Sequence, residues 1–84
     1  MTVLEQKVDQ VLRPLLKDEG VDIVTLRFFI ENEQTFLEMG VRKFEGVTDL
    51  NAIEIISRFI STWLDKYDFI EDAYILDVYA AKAE

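Results

Sequence analysis

Eighty-four residues make one small domain, and half of them are apolar, enough for a single core. There is no cysteine and no histidine, which removes disulfides, thiolate nucleophiles, imidazole bases and every Cys/His metal site. Seventeen acidic residues against nine basic ones give a net charge of −8, which argues against sequence-independent binding to nucleic-acid phosphates or to anionic membranes and makes a basic partner the physical complement. The same acidity also serves to keep a small apolar domain soluble. The start, MTVLEQK, is not a basic-then-apolar signal segment, and no apolar run approaches the roughly 18 residues of a membrane span, so a soluble cytoplasmic protein is expected.

Thr2 and Glu5 have capping-box spacing and predict a helix from Val3 to about Asp18, with Leu4, Val8, Val11, Leu12 and Leu15 on one face. Pro14 lies too far in for a first-turn proline and predicts a bend near Arg13. Gly20 suits a left-handed helix end. Val21 to Ile30, rich in Val, Ile, Phe and Thr, reads as a strand, with Val24, Leu26, Phe28 and Ile30 on one face and Ile23, Thr25, Arg27 and Phe29 on the other. The polar Glu31 to Gln34 stretch turns into a second strand, Thr35 to Lys43, with Leu37, Met39 and Val41 inward and Phe36, Glu38, Gly40 and Arg42 outward.

Asp49 to Tyr79 is the stretch that organises the rest. Leu50, Ile53, Ile56, Ile60, Trp63 and Leu64 recur at helical spacing, and Thr48 or Asp49 can cap the start. Tyr74, Leu76 and Val78 then alternate with Ile75, Asp77 and Tyr79 as in a strand. The order α-β-β-α-β predicts an α+β domain over residues 1–80: a two-layer sandwich with two helices on one face of a three-stranded mixed sheet, followed by a short tail over 81–84. A right-handed crossover makes strands 2 and 3 parallel. With strand 1 between them, the expected order is 2-1-3, with strands 2 and 3 at the edges.

No catalytic constellation appears, and a non-enzymatic protein is expected, with no cofactor and no metal. Asp65, Asp68, Glu71 and Asp72 cluster after the second helix, but paired-carboxylate hydrolysis needs a cleft that raises one pKa by burial. Their spacing is also wrong for a calcium loop. Gly40 in a strand points to a bulge or a close backbone contact. Phe28, Phe59 and Trp63 sit at core spacing. Phe29, Phe36 and Tyr79 have the opposite parity, and with Ile23 and Ile75 they predict an apolar patch on the uncovered sheet face. Base-stacking sheets use such aromatics but need basic flanks, and only Arg27 and Arg42 are suitably placed. Protein contact or self-association is therefore the better reading, and no sequence-specific nucleic-acid binding is expected.

The spaced set Gly46-Val47-Thr48, Ser57-Arg58, Leu64-Asp65, Asp68, Ile70 and Tyr74 to Val78, with Pro14, Gly20 and Ile23-Val24 upstream, resembles the N-terminal domain of the ribosome maturation factor RimP. The resemblance runs from about Val3 to Val78. It implies an α-β-β-α-β domain acting in small (30S) ribosomal subunit assembly through a basic small-subunit ribosomal protein. Asp77 stands where that family usually has Glu. Tyr79-Ala80-Ala81-Lys82 replaces the Ser-Ser-Pro-Gly that leads the family into a barrel domain, so a stand-alone relative is expected. The R-P-L-L-K-D-E-G opening is also similar to that of Nfu iron–sulfur scaffold domains, but their C-x-x-C is missing, which excludes cluster assembly. Candidate partner contacts are thus Asp65, Asp68, Glu71, Asp72 and Asp77, with Phe29, Phe36 and Tyr79 on the sheet. The alternative is a small self-associating or regulatory interaction domain with no ribosomal role, forming a homodimer through the sheet face or an edge.

Overall fold

In the first helix, α1 (Val3–Asp18), the Thr2 hydroxyl accepts from the Glu5 N–H at 3.1 Å and Glu5 Oε1 accepts from the Thr2 N–H at 2.7 Å, so the capping box is complete. The computed structural model describes residues 2–71 and 73–82. The helix runs without a break through Pro14 and ends where Gly20 takes a φ of 76°. Val8, Leu12 and Leu16 form its buried stripe.

Strand β1 (Val21–Glu31) pairs antiparallel with β2 (Gln34–Lys43) in a tight hairpin. Asn32 and Glu33 both have positive φ, 51° and 64°, the paired left-handed geometry that matches the twist of the flanking strands. Helix α2 (Leu50–Tyr67) is capped by the Asp49 carboxylate, which accepts from the Ala52 N–H at 2.8 Å. Asp68 closes it in the left-handed region, with φ 51° and ψ 49°. Ile56, Ile60 and Leu64 face inward, and strand β3 (Ile75–Ala80) then pairs parallel with β2. The buried core of α1, α2 and the sheet also includes Leu26, Leu37, Met39 and Val41, with Phe28, Phe59 and Trp63 packed against it.

The architecture is the α+β sandwich expected, but the strand order is β1-β2-β3, so β2 and not β1 is central. The crossover through α2 sets β3 directly beside the strand it leaves. β2 is suited to that place: Leu37, Met39 and Val41 are all fully buried, whereas β1 carries an irregularity of the kind common at edges. That irregularity, between Ile23 and Thr25, shifts the register by one residue. Ile23 therefore enters the core at 3% exposure while Val24 turns out at 43%, which reverses the expected parity of that end of the strand. Ile30, placed inward by alternation, is exposed near the hairpin tip. Leu50, expected in the core, is the first residue of α2 and is 87% exposed.

Candidate functional site

Strand pairing arranges the uncovered face of the sheet in rows. Phe29, Phe36 and Ile75 lie side by side, as do Arg27, Glu38 and Asp77, and then Thr25, Gly40 and Tyr79. The Phe29 and Phe36 rings stack at 5.2 Å, and the Arg27 guanidinium lies 4.5 Å from the Phe29 centroid while reaching Glu38 at 3.8 Å. The Tyr79 ring lies across the third row and its hydroxyl bonds to that of Thr25, which also accepts from the Gly40 N–H at 3.1 Å. A Cβ at Gly40 would fall 2.4 Å from Thr25 Oγ1 and 2.9 Å from the Tyr79 ring. This is the close contact that a glycine within a strand signals. Phe29 and Phe36 thus form a patch with Ile75, Tyr79 stands apart beyond the charged row, and Ile23 belongs to the core instead.

The loop acids gather at the other side of β3. A cleft of about 440 Å³ between α2 and the start of the strand is lined by Ser61, Asp65, Glu71, Ala73, Tyr74 and Leu76. Asp65 and Asp68 line a smaller one beside Phe69 and Ile70. None of the ion pairs among the described residues involves Asp65, Asp68, Glu71 or Asp77; the arginines are spent on Asp9, Asp22, Glu38 and Glu54. Asp72, the remaining candidate, lies outside the described residues. Burial, and then the nearby Asp65 charge, raise the Tyr74 phenol above its ordinary pKa. Asp68 has a structural task as well, since its N–H donates to Leu64 O at 2.9 Å in closing α2.

The two sheet edges differ. In β1, the outward Phe28 N–H donates to Glu5 Oε2 at 2.8 Å, and the outward Ile23 carbonyl accepts from Arg13 at 3.1 Å. Glu5 is buried, and its two backbone donors, Thr2 first and then Phe28, hold its carboxyl below the usual range. Arg13 is fixed in turn by Asp9 at 2.7 Å and Asp22 at 3.1 Å, and the Asp9 hydrogen bond raises its pKa. In β3, the Ala81 N–H donates to Val41 O, so alternation turns Ile75, Asp77 and Tyr79 toward β2 and turns the backbone groups of Leu76, Val78 and Ala80 outward. Among the described residues, no side chain meets those outward groups. The roles of Glu5 and Arg13 had no local signal beyond the capping box, because both depend on contacts distant in sequence.

Among the described residues, no group of three or more acids is set to hold a metal ion, and no helix is long and apolar enough to cross a membrane. Comparison with protein families gives a match to the RimP N-terminal domain over residues 11–80, from within α1 to the last residue of β3. The chain belongs to this family. The RimP N-terminal domain is tied to ribosome maturation, and the match spans both the hairpin and the α2–β3 unit that carries the loop acids.

Proposed function

We propose that this RimP N-terminal domain is a non-enzymatic acidic protein-binding module that acts in the cytoplasm in small (30S) subunit assembly, through contact with a basic ribosomal protein. The observation that carries this is the set of acids at the α2–β3 end, Asp65, Asp68 and Glu71 with Asp77 on the strand, which have no ion-pair partner among the described residues of a chain of net charge −8. Charges left unpaired at a surface steer and pair with an opposite charge, and such an interaction weakens as salt is added. The test is binding of the purified chain to individual small-subunit ribosomal proteins at low and high salt. Salt-sensitive binding that drops when Asp65, Asp68 and Glu71 are neutralised is expected. No binding at low salt would end the proposal.

A second reading, self-association through the uncovered face, draws on the Phe29–Phe36–Ile75 row, in which Ile75 is 42% exposed. Sedimentation separates the two: a dimer that Phe36→Lys dissolves supports it, and a monomer in both forms removes it.

A further inference from the structure

The cleft at the start of β3 and the outward backbone of the same strand lie together. Leu76 lines the cleft and is also the first β3 residue whose N–H and carbonyl face away from β2. A chain laid along this edge would find unpaired donors and acceptors at Leu76, Val78 and Ala80. On one side its alternate side chains would enter the cleft of Asp65 and Glu71; on the other they would pass Asp77. The charge is graded along the strand, because its far end meets Arg42 and Lys82 around Tyr79. An occupant of the acidic end therefore carries positive charge. A second copy meets that condition poorly: antiparallel pairing of two β3 strands would set this end beside the other copy's Arg42 and Lys82, but with net charge −8 on each chain the two copies repel as they approach.

We propose that the free edge of β3 receives an extended lysine- or arginine-bearing segment of a partner protein as a fourth strand, with one cationic side chain seated between Asp65 and Glu71. Main-chain hydrogen bonds supply the affinity and the acidic cleft sets the register. This rests on the reading of the partner as basic and adds where and in what conformation it is held.

The probe is a synthetic peptide alternating lysine with valine, set against a counterpart of equal charge N-methylated on one edge so that it cannot join a sheet. Binding is measured by anisotropy, and amide exchange is followed by NMR. The expected result is slowing of the Leu76, Val78 and Ala80 amides by about tenfold or more, with Phe28 unchanged, and about tenfold weaker binding of the N-methylated peptide. Ala80→Pro removes one outward N–H from an exposed position and should weaken the probe similarly. Asp65→Asn with Glu71→Gln should weaken it at low salt and leave the pattern of protected amides in place. Equal binding of both peptides without protection at β3 would overturn the proposal, as would edge amides already protected in a peptide-free dimer. Should Ala80→Pro unfold, the N-methylated peptide still decides on the unaltered chain. Ribosomal proteins that bind the parent and Ala80→Pro alike would sink the edge while leaving the proposed function. Protection by the probe with no ribosomal protein bound would do the reverse.

Discussion

Along β1 the chain satisfies two outward backbone groups with its own side chains; along β3, among the described residues, it satisfies none. Glu5 and Arg13 reach from α1 to the Phe28 N–H and the Ile23 carbonyl, so the longer edge strand is tied down at two points. β3 has six residues and no such tie among those described, although α2 packs over it and could have supplied one. What faces β3 from α2 instead is Ser61 and Asp65 across an open cleft. An edge guarded by charge and not by hydrogen bonds discourages pairing with like chains while staying available to a chain of opposite charge.

Glu5→Gln breaks this contrast most strongly. It puts an amide donor or a weaker acceptor where a buried carboxylate now takes two backbone N–H groups, and should cost about 1.5–3 kcal/mol in urea unfolding. In the same variant the Phe28 amide should exchange as readily as that of Val78. The pH dependence has a definite sign. The folded carboxyl is held low, so its contribution is complete above the unfolded value of about 4.3 and is lost as the pH falls through the lowered folded value. The parent should thus lose more stability than Glu5→Gln between neutral and strongly acidic solution. An equal loss would mean that Glu5 does not close the edge.

Gly40→Ala probes the row that joins the two edges through β2. Its methyl group meets the stiff Thr25 side chain and the Tyr79 ring, so a cost of about 1–3 kcal/mol is expected in thermal unfolding. Arg13→Met keeps much of the side-chain length but removes its contacts with Asp9, Asp22 and the Ile23 carbonyl. A loss of about 1 kcal/mol is expected, given the partial exposure of the group. Asp68→Gly runs the other way. It relieves a left-handed residue that carries a Cβ and should stabilise α2 by about 0.5–1 kcal/mol, measured as a raised melting temperature.

Local features of this fold were legible in the sequence. The capping box, the Gly20 stop, the hairpin and the Asp49 cap each rest on residues a few positions apart, and all are present. Strand order was not legible, since placing β3 beside β2 or beside β1 depends on contacts some forty residues apart that alternation alone does not distinguish. One extra residue at Val24 was enough to move Ile23 from the expected patch to the core, because strand parity has a period of two. Among the candidate contacts, Asp65 shares one cleft with Glu71 and another with Asp68, neighbours that sequence spacing also places near one another, and parity put Phe29 beside Phe36. It could not separate Tyr79 from them, nor reveal that Asp68 terminates a helix.

The single tryptophan has a practical consequence. Trp63 sits on the flank of α2 away from Ser61 and Asp65, in a ladder with Phe59 at 6.3 Å and Tyr67 at 5.8 Å, with the Lys66 ammonium 4.7 Å from its ring. Its fluorescence is therefore a built-in optical gauge of whether α2 is seated on the sheet. Emission that shifts in denaturant but holds steady while a ligand is titrated would separate an event at the sheet margin from loosening of the helix, with no dye attached.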